Sequence, residues 1–162
     1  FDRDQLHKLI TSTKGVVIAN DNSDDQIVIS GEPKAVENII KDLVCRRSVK
    51  LKVSGAFHSP YMKSASDYFK NELDKVTFND PIFPVISNSN PIATFKGDIL
   101  KQNLMNQMTQ GVRWRETMIF LKEFGINLIV EVGPGRVLSG LAKRSLEDMT
   151  ISQISSSTDL GQ

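Results

Sequence analysis

Stretches whose apolar residues recur every three or four positions alternate along the chain with short β-branched runs, a pattern that predicts a mixed α/β fold. Leu6, Leu9 and Ile10 sit at helical spacing within residues 2–11. Val16-Val17-Ile18-Ala19 and Gln26-Ile27-Val28-Ile29-Ser30 read as two strands. Asn20-Asp21-Asn22-Ser23-Asp24-Asp25 between them is rich in turn formers and reads as a loop. Glu32-Pro33 opens a helix, with Val36, Ile39, Ile40, Leu43 and Val44 as its buried stripe. Residues 47–53 alternate like a half-buried strand. The order helix, strand, strand, helix, strand is that of a ferredoxin-like unit lacking its first strand.

Residues 60–76 predict a helix capped by Ser59, with Tyr61, Ala65, Tyr68, Phe69 and Leu73 on one face. Residues 84–88 predict a short strand running into a turn at Asn88-Ser89-Asn90-Pro91. Two amphipathic segments, 98–108 and 114–124, predict helices, the second ended by Gly125. Leu128-Ile129-Val130-Glu131-Val132 is nearly all apolar, as in a parallel strand buried on both faces. Gly133-Pro134-Gly135 breaks it, and Val137, Leu138, Leu141 and Ala142 begin a helix. Residues 151–154 predict a last strand, and the polar tail 155–162 a loose end. The division that follows is a small unit over 1–53, a larger α/β part over 54–150, and a tail over 151–162.

Composition narrows the function classes. Lys and Arg number 20 against 19 Asp and Glu, so no net field argues for nucleic acid. The apolar run at 126–132 is far too short to cross a bilayer, and no signal-peptide pattern is visible. Cys45 is alone, which excludes an internal disulfide and points to a reducing compartment. No cluster with metal-ligand spacing is present, and no metal or other cofactor is expected.

The chemistry concentrates in Ser54-Gly55-Ala56-Phe57-His58-Ser59-Pro60. Small residues precede the histidine and a helix start follows it. Such an elbow lets an imidazole reach into a cleft, and histidine is the side chain that exchanges protons near neutral pH. Capping or packing is the competing role for a histidine in this position.

Three segments then line up in order: Asn20-x-Asn22-Ser23-x-x-Gln26-x-Val28-Ile29-x-Gly31, Gly55-Ala56-Phe57-His58-Ser59-Pro60-Tyr61-Met62, and Val130-Glu131-Val132-Gly133-Pro134-Gly135-Arg136-Val137-Leu138. Together they resemble the C-terminal half of the malonyl-CoA:acyl carrier protein transacylases of fatty-acid synthesis. The acyltransferase domains of larger polyketide and fatty-acid synthases share the pattern. The resemblance runs from about Phe1 to Leu146. It implies the C-terminal part of an α/β-hydrolase-like acyltransferase domain joined to the incomplete ferredoxin-like subdomain.

It also implies a reaction. A serine hydroxyl attacks malonyl-CoA, and the phosphopantetheine thiol of acyl carrier protein takes the malonyl group from the acyl-serine. His58 matches the general base, and Gln107 the position whose backbone carbonyl orients that ring. Phe57 matches the malonyl-selective pattern, in which a ring narrows the space beside C2 of the acyl group. Asn20 and Asn22 match a loop bordering the cleft, where they either bond the acyl or pantetheine group or make Asx turns. The Gly133-Pro134-Gly135 turn either presents N–H groups to an anion or meets a packing need. Arg136, Lys143, Arg144, Lys50, Lys52 and Lys63 offer positive charge to an acidic carrier protein.

One part of the pattern is missing. No Gly-His-Ser-x-Gly elbow for the nucleophile occurs in these residues. Ser59 adjoins His58 and points away from it, and Cys45 sits on a helix stripe. The expectation is therefore a chain that supplies the base, with the N-terminal half of the same enzyme supplying the serine, in the cytoplasm or in a eukaryotic organelle. The alternatives are an acyltransferase domain of a larger polyketide or fatty-acid synthase, and a carrier-protein-binding module without turnover.

Overall fold

The computed structural model describes residues 1–145 and 149–161. Leu146 and Gln162, the ends of the matched region and of the tail, lie outside the described residues. Helix α1 (Arg3–Ser12) is capped by the Asp2 carboxylate, which accepts from the Gln5 N–H at 2.9 Å. Strands β1 (Val16–Ser23) and β2 (Gln26–Gly31) form an antiparallel hairpin. The predicted loop is thus mostly strand: β1 runs on through Ser23 and turns only at Asp24 and Asp25. Gly31 closes against the backbone of Gly15, where a Cβ would lie 2.1 Å from the Gly15 oxygen. Helix α2 (Pro33–Asp42) follows.

Leu6, Val16 and Ile39 form the core of this unit, joining α1, β1 and α2. The stripe of α2 is shorter than its sequence suggests, because the helix stops at Asp42 and leaves Val44 71% exposed. Residues 47–53 form no strand. Val49, Leu51 and Val53 are exposed, and alternation makes a ladder only where another strand's backbone stands beside it.

A 3-10 turn over Pro60–Met62 leads into α3 (Lys63–Leu73), splitting the single helix predicted there. Strands β3 (Val85–Ser87) and β4 (Asn90–Thr94) make a second antiparallel hairpin through the Asn88-Ser89 turn. Helix α4 (Gly97–Asn106) packs on α3 and β3, and α5 (Trp114–Glu123) packs on β1 and β4. Gly125 ends that helix with φ +71°. Strand β5 (Leu128–Val132) pairs in parallel with β6 (Thr150–Ile154), and α6 (Val137–Ser145) crosses between them. Met118 and Ala142 centre the second core, with Trp114, Leu121, Ile129, Met149 and Ile151 around them. The tail is not loose up to Gly161: it ends in a 3-10 turn over Ser157–Gly161, with the Asp159 carboxylate accepting from the Ser155 and Ser156 N–H groups at 2.7 and 2.9 Å.

Strand β5 is not buried on both faces. Leu128, Val130 and Val132 are 52%, 41% and 76% exposed. Its pattern is that of a central strand, yet among the described residues only β6 pairs with it. The whole surface repeats this. It measures 11190 Å², where a folded monomer of 18.1 kDa presents roughly 8,000 Å². The excess, roughly 3,000 Å², is several times the ~800 Å² that one partner gives up in an ordinary stable interface.

Candidate active site

His58 stands between the end of residues 43–57, which form no helix or strand, and the Pro60–Met62 turn. Its backbone is left-handed, with φ +57°, the one such residue other than glycine among those described. A β-carbon makes that conformation costly, so the surroundings must hold it. The ring donates from Nδ1 to the Gln107 carbonyl oxygen at 2.9 Å. A carbonyl can only accept, so a proton sits on Nδ1, and in the neutral ring Nε2 is the nitrogen that carries the lone pair.

Gln107 caps the C-terminus of α4, with its own N–H donating to the Asn103 oxygen at 3.0 Å. Carbonyls in the last turn of a helix have no intrahelical donor, so this one is free to accept from the imidazole.

The loop after α4 is tied to the small unit. The Val112 N–H donates to the Ala19 oxygen and the Asp21 N–H to the Val112 oxygen, each at 2.8 Å. Gly111 permits this approach, because a Cβ there would lie 2.5 Å from the Ile18 oxygen. The Asp21 side chain binds Arg3 at 3.0 Å and Arg115 at 3.1 Å, tying α1, β1 and α5 together. The close approach at Gly111 and the ion pairs of Asp21 depend on residues distant along the chain, so neither role is legible from local sequence.

The ring of His58 faces an open cleft of about 630 Å³ lined by Phe57, Met62, Ala65, Phe69, Gln107 and Met108 among others. Phe57, beside the histidine, is 47% exposed. The apolar face of α3 is therefore a cleft wall, and Tyr68 on it is 71% exposed. Asn20 and Asn22 stand on β1 and are not among the residues lining this cleft. A smaller polar cleft of about 370 Å³ lies between β1 and α5, with His7, Asp21, Ser89, Arg113 and Glu116 on its walls. The Arg113 guanidinium holds the Glu116 carboxyl below its usual range.

Packing among the described residues does not call for the glycines of the turn after β5. Gly133 and Gly135 have φ +137° and +94°, and nothing lies within 4 Å of a Cβ built on either, so conformation rather than packing calls for glycine. The N–H groups of Leu138 and Ser139, at the start of α6, are already taken by the Glu131 carboxylate at 3.1 and 2.9 Å. Those bonds and the Ser139 hydroxyl hold the Glu131 carboxyl below its usual value. Glu131 caps the helix from within the chain.

An imidazole with its proton fixed on Nδ1 by a helix-end carbonyl, facing an apolar cleft, is suited to taking a proton from a hydroxyl. The chain belongs to the acyl transferase domain family, which matches residues 3–162. It is 49% identical over 160 residues to the malonyl CoA-acyl carrier protein transacylase of Synechocystis sp., covering 99% of this chain and 55% of that protein. The crystal structure of the Synechocystis malonyl-CoA:ACP transacylase superposes with a TM-score of 0.93 at 48% identity, again over 99% of this chain and 55% of that one. A malonyl-transacylase solved in complex with a type II PKS acyl-carrier protein superposes with a TM-score of 0.88 at 31% identity, over 99% and 54%. The chain thus spans about half the length of the relatives it matches. No helix among the described residues is long and apolar enough to cross a membrane.

Proposed function

We propose that this chain carries the base of a malonyl transfer from malonyl-CoA to the phosphopantetheine thiol of acyl carrier protein in fatty-acid synthesis. His58 Nε2 takes the proton of a serine hydroxyl as it attacks the thioester, and returns it to the departing CoA thiolate. The acyl-serine is then attacked by the carrier's thiol, whose proton passes through the same nitrogen to the departing serine oxygen, restoring the hydroxyl and the free base. The Gln107 carbonyl orients the ring, and Phe57 narrows the acyl pocket. No resident cofactor enters the scheme. The observation that carries the reading is the 2.9 Å bond from His58 Nδ1 to Gln107 O beside the open cleft.

The serine comes from polypeptide that these residues do not include. Three facts support that: no Gly-His-Ser-x-Gly motif occurs in the chain, it matches about half of its relatives, and its surface exceeds that of a closed domain by roughly 3,000 Å². Residues 1–53 are the ferredoxin-like subdomain in this reading. Residues 54–150 belong to an α/β-hydrolase-like sheet in which β5 has a further neighbour. Asn20 and Asn22 reach the acyl or pantetheine group only across the completed cleft. The known complex of a related transacylase with its carrier supports acyl carrier protein as the acceptor. The reaction belongs in the cytoplasm, or in an organelle of a eukaryote.

The test is transfer of radiolabelled malonyl from CoA to the carrier by the full-length protein and its His58→Ala variant. Loss of a general base lowers kcat by about 10²–10⁴-fold. Transfer by a folded His58→Ala variant at the parent rate rejects the assignment.

A further inference from the structure

Ser59, next to the histidine, makes contacts that neither capping alone nor the family resemblance accounts for. It is fully buried, at 0% exposure. Its hydroxyl donates to the Ala56 carbonyl at 2.5 Å and accepts from the Tyr61 N–H at 3.3 Å. Its own carbonyl accepts from the Met62 N–H at 3.0 Å. One hydroxyl therefore joins the residue two before His58 to the turn after it. The loop so closed, residues 56–61, has the left-handed His58 at its middle.

We propose that Ser59 is a positioning residue that sets the tautomer and aim of His58 by holding this loop shut. The φ of +57° is unfavourable for a residue with a β-carbon, and residues 43–57 supply no helix or strand to enforce it. The bridge from Ala56 O through Ser59 Oγ to Tyr61 N spans the left-handed residue on both sides. Removing the hydroxyl deletes its bonds to the Ala56 carbonyl and the Tyr61 N–H and frees the loop to relax toward an extended backbone. That rotation carries the imidazole away from Gln107, and the proton is then no longer confined to Nδ1. The catalytic consequence rests on the proposed function, whereas the effect on the ring does not.

The experiment follows both, in the full-length protein. Imidazole ¹⁵N spectra of the parent, with His58 assigned by its absence in His58→Asn, are expected to show a proton on Nδ1 and a bare Nε2. In Ser59→Ala the two nitrogens are expected to shift toward a tautomer mixture. The kcat for malonyl transfer falls about 10- to 100-fold with KM little changed, as for a catalytic group displaced by about an ångström. Ser59→Cys, similar in size and a weak donor, recovers part of both and is the variant to read if Ser59→Ala does not fold. A folded Ser59→Ala whose ring keeps its proton on Nδ1 overturns the proposal, as does Ser59→Cys behaving no better than a folded Ser59→Ala. If the ring responds as expected while even His58→Asn transfers malonyl normally, the positioning role stands and the functional reading fails.

Discussion

Gly111→Ala tests how the small unit and the candidate base depend on each other. A Cβ at this position would sit 2.5 Å from the Ile18 oxygen, 3.5 Å from the Ala19 oxygen and 3.6 Å from the Ile18 carbon. Ordinary contact begins near 3.4 Å, so the two backbones must separate by about 0.9 Å. Strand β1 yields little, since it is paired with β2 and anchored through Asp21 to Arg3 and Arg115. The segment 107–113 therefore moves. Both 2.8 Å bonds between Val112 and β1 stretch beyond useful length. Two backbone hydrogen bonds at about 1 kcal/mol each, plus a strain of about 1 kcal/mol for the part that cannot relax, give ~3 kcal/mol. For a domain of this size or somewhat larger that lowers Tm by roughly 6–12 °C. Gln107 is at the near end of the displaced segment, so its oxygen shifts against His58 and kcat falls by about 10-fold or more. Differential scanning calorimetry and initial-rate kinetics on the purified full-length variant read both effects. A Tm within about 1 °C of the parent would refute the close approach, and a lowered Tm with unchanged kcat would refute the link from β1 to His58.

Phe57→Ser opens the cleft beside the base and is expected to raise the ratio of kcat/KM for methylmalonyl-CoA over malonyl-CoA by about 10-fold or more, since a methyl group is worth ~1–3 kcal/mol; competition between the two thioesters measures it, and an unchanged ratio removes Phe57 from the specificity account. Gln107→Ala keeps the carbonyl and suits the helical backbone there, φ −58° and ψ −30°, so kcat is expected to stay within about twofold; a large loss would shift the orienting role to the amide side chain. The Glu131 carboxyl titrates lower in the folded chain than in the unfolded one, because the Ser139 hydroxyl and two N–H groups bond its ionised form. Its stabilising contribution is complete above the unfolded value, about 4.3, and disappears as pH falls through the folded one. Urea unfolding from pH 7 down to 3 is expected to show a steeper loss for the parent than for Glu131→Gln, and parallel curves would reject the cap.

The sequence by itself determined the helices, the elbow and the candidate base. Their signals are local: periodic apolar residues, Ser59 ahead of Pro60, and Gly125 after a helix all act through neighbours within a turn. Family-specific motifs added Gln107, which no local rule singles out, because any residue carries a carbonyl. Tertiary structure decided what depends on backbone from elsewhere. Among the described residues, 47–53 alternate yet stay without a ladder because no strand stands beside them, and β5 reads as central but has one partner. The turn-rich run at Asn20 and Asn22 became strand because β2 and Val112 engage its backbone. The proton on His58 Nδ1 depends on an oxygen 49 residues away, brought there by α4 packing on α3 and by Gly111 against β1. Spacing along a chain sets which side chains share a face, but only folding sets which nitrogen of a ring meets which carbonyl.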